Sequence, residues 1–237
     1  MEPERVVLIT GATGEFGPYV ARAFGQTGAR LALTARKLEQ AEALVNELGL
    51  DASRALPYAA DLTRPTDVLG WVDVVQAHWG RADVLVNLAG GYKPGKPVHE
   101  LEEADLDFML NINFRSTFLA CRAVVPLMLA QGSGKIINVG AKAGLAAGRK
   151  STAYAVAKAA VLRLTEALSA EVREQGLNVN AVIPSTIDTP ANRVAQPNAD
   201  YTRWVQPEDL AAVIVFLASD AARAVHGAAV PVYGGGG

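Results

Sequence analysis

Tyr154 and Lys158 lie four residues apart in the segment AYAVAK. If this segment is helical, the two side chains share one face, because residues at i and i+4 are neighbours on a helix surface. An ammonium close to a phenol favours the phenolate, so we expect the pKa of Tyr154 to fall below its ordinary value of about 10. The pair predicts a proton donor that works near neutral pH. An exposed tyrosine and lysine on a surface helix is the alternative.

A glycine-rich turn follows the first apolar segment of the chain. Gly11, Gly14 and Gly17 are spaced three residues apart at the predicted start of a helix. Glycines here let the backbone approach a pyrophosphate, which the free N–H groups of the helix N-terminus stabilise. The position directly after the first strand favours this function over an ordinary turn. Thr13 and Phe16, between these glycines, belong to the same predicted nucleotide site.

Two basic residues follow the second predicted strand, which ends in Ala35-Arg36-Lys37. An acidic residue at this point would bind the ribose hydroxyls of NAD and repel a 2′-phosphate. Arginine can clamp a phosphate bidentately, so Arg36 and Lys37 favour NADP, with NAD as the alternative cofactor. A solvated charge pair at a helix start is the other interpretation. Glu15, in the glycine turn, would repel a phosphate, and we expect its carboxylate to point away.

Two further strand ends carry candidate cofactor contacts. Asp61 and Leu62 follow the third predicted strand, where a carboxylate can accept a hydrogen bond from an adenine amino group. Asn87, Ala89 and Gly90 close the fourth strand, and small residues there let a cofactor lie flat against the backbone.

The elements that must position these residues alternate along the whole chain. Short apolar, β-branched segments predict strands, and they are continuous rather than alternating, as in parallel strands covered on both faces. The predicted strands are Arg5–Thr10, Arg30–Ala35, Ala55–Ala59, Asp83–Leu88, Lys135–Val139, Asn178–Ile183 and Ala228–Val232. The predicted helices lie near 15–28, 38–48, 66–79, 103–131, 153–175 and 207–219. This alternation predicts an α/β Rossmann fold, a doubly wound parallel sheet of about seven strands with helices on both faces.

The chain reads as one domain, 1–237, with one long irregular segment at its C-terminal side. A loop as long as 185–206 inside a compact domain is usually functional, and we interpret it as a substrate lid. Trp204 and Tyr201 within it could stack on a flat ring, or could close the lid as hydrophobic contacts.

The composition excludes several classes of protein. The 237 residues are 50% hydrophobic and carry a net charge of -2, so nothing predicts a nucleic-acid partner. The single cysteine, Cys121, rules out an intramolecular disulfide framework and fits a reducing compartment. The N-terminus leads straight into a strand and no apolar run approaches membrane-spanning length, so we expect a cytoplasmic protein without a membrane partner.

With these pieces in order, the chain resembles the short-chain dehydrogenase/reductase family over nearly its whole length. The motifs are Thr10-Gly-x-x-Gly-x-x-Gly, Asp61, Asn87-Leu-Ala-Gly, Asn113, Tyr154-x-x-x-Lys158, and Pro184 followed by TIDTP. The resemblance implies an NAD(P)-dependent oxidoreductase acting on a small molecule.

The same resemblance assigns further roles within the site. It implies that Asn113 binds a water linking Lys158 to solvent, although a buried asparagine at a helix kink is the alternative. It also implies that Lys158 holds the nicotinamide ribose, that Pro184 belongs to the cofactor site, and that Ile187 and Thr189 contact the nicotinamide carboxamide. The long helices near 103–131 and 153–175 are expected to pair in a homodimer or homotetramer.

One position departs from the family. Ala141, thirteen residues before the tyrosine, occupies the place of the family's serine, and a methyl group donates no hydrogen bond. Losing one donor to a developing oxyanion typically costs about 10²–10³ in rate. A ketone reductase would be poor here unless Ser151, Thr152 or Lys142 supplied the donor.

The lid sequence VIPSTIDTPANRVAQPNADYTRW and the GAKAGL segment resemble the dihydropteridine reductase subfamily. A quinonoid dihydropteridine is a conjugated ring that is protonated on nitrogen, so the missing donor matters less. We therefore expect reduction of such a conjugated acceptor, with Ala141 and Trp204 on the substrate side. A carbonyl or quinone reductase is the first alternative, and a catalytically impaired nucleotide sensor is the second.

Overall fold

A computed structural model describes residues 5–236, which contain a seven-stranded parallel sheet. The strands are β1 (Val6–Thr10), β2 (Arg30–Ala35), β3 (Ala55–Ala59), β4 (Val84–Asn87), β5 (Gly134–Val139), β6 (Leu177–Pro184) and β7 (Ala229–Val232). Their order across the sheet is β3-β2-β1-β4-β5-β6-β7. The predicted fold class is confirmed, and two strands have the predicted bounds at both ends. The other five differ by one residue at one or both ends.

Helices cover both faces of this sheet. They are α1 (Gly17–Gln26), α2 (Leu38–Glu47), α3 (Pro65–Trp79), α4 (Glu103–Leu110), α5 (Ser116–Gln131), α6 (Thr152–Val172), α7 (Pro190–Ala195) and α8 (Pro207–Ala218). One core layer packs Phe24 of α1, Leu44 of α2 and Leu210 of α8 against the sheet. The other includes Trp71 of α3 and Met128 of α5. Burial of large apolar side chains on both faces explains why the strands lack alternating polarity.

The helix predicted over 103–131 contains a π-helical turn, Asn111–Arg115, between α4 and α5. This turn adds a residue relative to the α-helical register, as π-helical insertions do in general. Asn113 lies inside it and is fully buried. The sequence period did not predict this insertion.

The helical stretch Glu103–Gln131 is long and apolar enough to cross a membrane, with a mean hydropathy of 1.2 in its best 18-residue window. It is the exception to our expectation that no apolar run approaches that length. Its Ala120, Val124 and Met128 are buried against the sheet. The core helix of a compact domain meets the same criteria of length and composition.

The order of the strands reverses between β1 and β4, since the chain moves outward through β2 and β3 and then returns. In open α/β sheets a ligand binds outside the carboxyl ends of the strands at such a switch point. The glycine turn after β1 and residues 88–91 after β4 both lie there.

The predicted lid, 185–206, is more ordered than an irregular loop. It contains α7 and a single helical turn, Tyr201–Arg203. A parallel bridge between Ile187 and Val205 ties its two ends together. An ion pair joins Arg193 Nε to Asp188 Oδ1 at 2.6 Å.

Candidate active site

A cavity of about 580 Å³ opens at the carboxyl ends of the central strands. This volume is within the range of small-molecule and cofactor sites. Fourteen of the predicted site residues form part of its wall: Gly11, Thr13, Gly14, Phe16, Gly17, Arg36, Asp61, Leu62, Ala89, Gly90, Tyr154, Lys158, Ile187 and Thr189. The structure therefore brings together motifs that the sequence separates by more than 170 residues.

The remaining predicted site residues lie outside the cavity wall: Lys37, Asn87, Asn113, Ala141, Pro184 and Trp204. Lys37 is exposed at the start of α2, as in the alternative of a solvated charge pair. Asn87 is buried, and its Nδ2 donates to Asn138 Oδ1 at 2.9 Å, so its amide links β4 to β5. Trp204 is buried against Tyr201, with 4.8 Å between ring centroids, which agrees with a hydrophobic closure of the lid.

The glycine turn has a shape that side chains would obstruct. Gly11 has φ +63°, and a Cβ there would lie 2.9 Å from Ala89 Cα. A Cβ on Gly17 would lie 2.1 Å from the carbonyl oxygen of Ala12. These contacts allow the turn to pack tightly against the end of β4 and the start of α1.

The same turn leaves hydrogen-bond donors for an anion. Among residues 5–236, no hydrogen-bond partner occupies the backbone N–H groups of Thr13, Glu15 and Phe16. Free amides at the N-terminus of a helix bind phosphate. The residues present therefore fit the pyrophosphate of a dinucleotide. Glu15 is exposed but belongs to the cavity wall, and its carboxylate accepts a hydrogen bond at 3.4 Å from the amide of Ala191, another wall residue, rather than pointing away from the cavity as expected.

Opposite charges line the far end of the cavity. Arg36 is exposed, and no acidic side chain in the described part of the chain lies within ion-pair distance of it. Asp61 Oδ1 accepts hydrogen bonds from Thr63 Oγ1 at 2.7 Å and from Thr63 N at 2.9 Å. These bonds lower the pKa of Asp61, and the nearby Arg64 and Arg36 charges lower it further. The Asp61 carboxylate is therefore ionised near neutral pH.

Lys158 is buried at the other end, and its Nζ donates to the carbonyl oxygen of Val139 at 2.8 Å. Burial lowers the pKa of Lys158 to about 8, because the charged form loses its hydration. The side chain is still mainly protonated at pH 7. Its hydrogen-bond partner, Val139, is the last residue of β5, and Lys158 itself lies on α6.

Tyr154 is partly buried beside this lysine, with the Lys158 Nζ 5.9 Å from the centroid of its ring. Our expectation of a lowered pKa is wrong for this structure: burial and the neighbouring Tyr92 raise the pKa of Tyr154 to about 12. Loss of hydration disfavours the phenolate more than the nearby ammonium favours it. Tyr154 consequently holds its proton near neutrality.

Asn113 bonds to the protein backbone through both ends of its side chain. Its Nδ2 donates to the carbonyl oxygens of Gly91 at 3.0 Å and Met109 at 3.1 Å, and its Oδ1 accepts from the Gly91 amide at 3.1 Å. These are the contacts of the alternative interpretation, a buried asparagine at a helix kink. A Cβ on Gly90 would lie 2.6 Å from Asn113 Oδ1 and 3.5 Å from Lys158 Nζ. Asn113 therefore holds the Gly90-Gly91 segment next to the lysine.

The position of the missing hydroxyl is occupied by the buried methyl group of Ala141. Two of the donors that could compensate are engaged elsewhere. Ser151 Oγ donates to the carbonyl oxygen of Gly148 at 2.8 Å. Lys142 Nζ lies 5.0 Å from the centroid of the Tyr233 ring. Thr152 begins α6 outside the cavity wall.

Sequence reasoning missed several residues of the wall. These include Gln40, Thr63, Tyr92, Ile112, Ser116 and Asn192. The most informative is Tyr92, whose ring centroid lies 5.2 Å from that of Tyr154 at an interplanar angle of 84°. Its place directly after the Gly90-Gly91 pair at a strand end was the only signal in the sequence.

The sheet, its switch-point cavity and the tyrosine–lysine pair define a dinucleotide-dependent oxidoreductase with a doubly wound α/β fold. A family profile described as short chain dehydrogenase matches residues 5–200, and the chain belongs to the short-chain dehydrogenase/reductase family. It is an NAD(P)-dependent oxidoreductase.

Known relatives cover almost the entire chain. It is 36% identical to the D-threitol dehydrogenase of Mycolicibacterium smegmatis over 240 residues, which cover 98% of this chain and 92% of the relative. It is similar to the structure of an NAD+-bound xylitol dehydrogenase, with a TM-score of 0.88, 27% identity and 98% of each chain covered. It is also similar to ElxO with NADP bound, with a TM-score of 0.92, 25% identity and 99% of each chain covered.

Proposed function

We propose that this protein interconverts a carbonyl compound and its alcohol with NADP(H) as the cofactor. The observation that carries the proposal is the position of Tyr154 and Lys158 at one end of a cavity whose other wall is the glycine turn. A single bound dinucleotide would then extend from the turn to the tyrosine. The names of the relatives, a D-threitol and a xylitol dehydrogenase, support a hydroxylated substrate.

The bound cofactor supplies or accepts hydride, and the side chains of the chain manage the proton. With its pKa near 12, Tyr154 retains its proton at neutral pH and can give it to a developing alkoxide. The Lys158 ammonium, 5.9 Å from the ring, favours the phenolate that remains. Ile187 and Thr189, at the lid end of the cavity, are the residues we propose to orient the nicotinamide. The role of Asn113 in binding a relay water remains a prediction.

The preference for NADP rests on Arg36. Its guanidinium lines the cavity next to Ala35 at the end of β2, where an acidic residue would select NAD. Arg36 forms no salt bridge in the described residues, although its charge acts on the nearby Asp61, so its guanidinium is available to a 2′-phosphate. NAD remains the alternative cofactor.

Ala141 favours a second candidate function, the reduction of a conjugated acceptor such as quinonoid dihydropteridine. The Ala141 methyl group lies where a carbonyl substrate needs a hydrogen-bond donor to its oxygen. A conjugated ring needs this donor less, because it develops less localised charge on oxygen. This candidate depends on the absence of any replacement donor near Tyr154.

A turnover panel tests both candidates with NADPH and with NADH. It includes oxidation of D-threitol and xylitol, and reduction of cyclohexanone, a benzoquinone and quinonoid dihydropterin. The proposal predicts the highest kcat/KM for an alcohol–ketone pair with the 2′-phosphorylated cofactor. A protein that reduces only the pterin supports the second candidate, and one that binds nucleotide without turnover of any of these compounds contradicts both.

We also propose, as the sequence predicts, a cytoplasmic homodimer or homotetramer. Phe118 on α5 and Val156 on α6 are exposed apolar side chains on the two helices expected to pair. Light scattering during size-exclusion chromatography measures the assembly, and a monomeric mass would contradict this expectation.

A further inference from the structure

Tyr92 stands beside Tyr154 in the cavity wall, and the proposed function has given it no role. The two rings meet edge to face, with 5.2 Å between their centroids. The side chain is 62% exposed to the open cavity and surface. Its hydroxyl makes no hydrogen bond to any group in residues 5–236. It is therefore a phenol with a free donor, on a ring that contacts the ring of Tyr154.

The other hydroxyls around Tyr154 either have a hydrogen-bond partner or, like that of Thr152, lie outside the cavity wall. Ser116 Oγ donates to the carbonyl oxygen of Ile112 at 2.8 Å. Thr189 Oγ1 accepts from the Asn192 amide as the cap of α7, so its O–H hydrogen stays free, but the proposed function assigns this side chain to the nicotinamide. Ser151 donates to its own loop, as described above. Among the described residues of the cavity wall, Tyr92 is the one whose ring contacts that of Tyr154 and whose hydroxyl makes no hydrogen bond.

The backbone of Tyr92 is held in place by its neighbour. Gly91 both donates to and accepts from the side chain of Asn113, at 3.1 and 3.0 Å. That asparagine is fully buried in the π-helical turn. A donor on such a fixed segment needs little reorganisation when charge develops on a substrate. Electrostatic stabilisation of a transition state requires this kind of preorganised donor.

We propose that the Tyr92 hydroxyl is the second hydrogen-bond donor to the substrate oxygen, in place of the donor that Ala141 lacks. This inference rests on the proposed carbonyl–alcohol function. In the reduction, hydride from NADPH adds to the carbonyl carbon and the electron pair of the C=O π bond moves to oxygen. That oxygen takes the proton of Tyr154, while Tyr92 keeps its own proton and only donates a hydrogen bond.

The two tyrosines differ in their surroundings, and this assigns their roles. The Lys158 ammonium lies over the ring of Tyr154, where it stabilises a phenolate. Tyr92 is more exposed and has no cation contacting its ring within the described residues. A neutral donor is consistent with that environment, and a proton donor is consistent with the environment of Tyr154.

The test is a double-mutant cycle with Tyr92→Phe and Ala141→Ser, measured on the alcohol–ketone pair with the highest turnover. Tyr92→Phe keeps the ring contact and removes only the hydroxyl. We expect it to lower kcat/KM by about 10². Introducing Ala141→Ser into this variant should raise kcat/KM at least 10-fold, roughly 1.4 kcal/mol. The same substitution in the unmodified protein should raise kcat/KM much less. Tyr19→Phe, a tyrosine of α1 outside the cavity wall, is the matched control and should change nothing.

A binding measurement keeps the inference independent of turnover. Benzoate, whose carboxylate resembles the developing oxyanion, is titrated into the complex with NADP+. Tyr92→Phe should weaken benzoate about 10-fold, and Ala141→Ser should restore it. If none of the panel substrates is turned over, the proposed function is contradicted, but the benzoate titration still tests the role of Tyr92. Unchanged kcat/KM and benzoate affinity in Tyr92→Phe, or equal gains from Ala141→Ser in both backgrounds, would overturn the inference.

Discussion

Replacing Lys158 by methionine should abolish activity and, near neutral pH, stabilise the fold. Burial lowers the pKa of Lys158 from 10.5 to about 8. The charged form is therefore destabilised by about 3 kcal/mol in the folded protein relative to the unfolded chain. Methionine fills a similar volume without a charge. It loses the hydrogen bond to the Val139 carbonyl, at a cost of about 1–3 kcal/mol. The net gain at pH 7 is therefore on the order of 1 kcal/mol.

The pH dependence of that difference is the sharper quantity. The folded-state pKa of Lys158 is below its unfolded value, so between pH 8 and 10.5 the unfolded chain holds a proton that the folded protein has released. Stability rises with pH wherever the unfolded state binds more protons. The unmodified protein should thus gain about 3 kcal/mol relative to Lys158→Met across this window, and the order of stability should reverse.

Urea unfolding without nucleotide, followed by tryptophan fluorescence at pH 7, 8, 9 and 10.5, measures the two free energies. Exposed Lys37→Met is the control and should show no pH-dependent difference from the unmodified protein. A constant difference between the unmodified protein and Lys158→Met at all four pH values would refute the argument. It would mean that Lys158 is hydrated in the folded protein, contrary to its burial.

Three further substitutions test other parts of the site. Tyr154→Phe should lower turnover by about 10²–10⁴ while leaving nucleotide affinity nearly intact, and undiminished turnover would exclude this residue as the acid. Arg36→Asp should shift the preference from NADPH to NADH, measured as the ratio of the two kcat/KM values; tighter binding of NADH by the unmodified protein would show that the interpretation of Arg36 is mistaken. Gly90→Ala places a Cβ 2.6 Å from Asn113 Oδ1, so it should cost about 1–3 kcal/mol of stability in thermal unfolding and lower kcat. A fully active and equally stable Gly90→Ala protein would contradict the tight contact.

The fold was predictable because its signals are local. Continuous apolar segments bounded by turns defined β2 and β3 at both ends, and the predicted glycine turn lies at the switch point of the sheet. Most of the cofactor wall follows from that topology, since parallel strands present their carboxyl ends at one edge. These predictions need only periodicity, chain order and the handedness of crossovers.

The electrostatic behaviour of the site was not predictable, because it depends on burial. The spacing of Tyr154 and Lys158 places a cation near a phenol, but spacing carries no information on how much water either group retains. Burial reverses the expected direction for Tyr154. The same limit applies to Ser151 and Lys142, whose hydrogen bond and ring contact are made with a loop carbonyl and with Tyr233.

The π-helical turn at Asn111–Arg115 divides one long helix into two parts that can vary separately. Successive residues of an α-helix are rotated by about 100° around its axis. A one-residue insertion therefore changes the direction of the side chains on one side of it relative to those on the other side. Ile112, inside the turn, lines the cavity while α5 stays packed against the sheet. Deletion of a single residue here would give the two parts of the helix one continuous register, so that they could no longer be oriented separately. The side chain that the turn contributes to the cavity wall can therefore change over evolutionary time without a compensating change in the core.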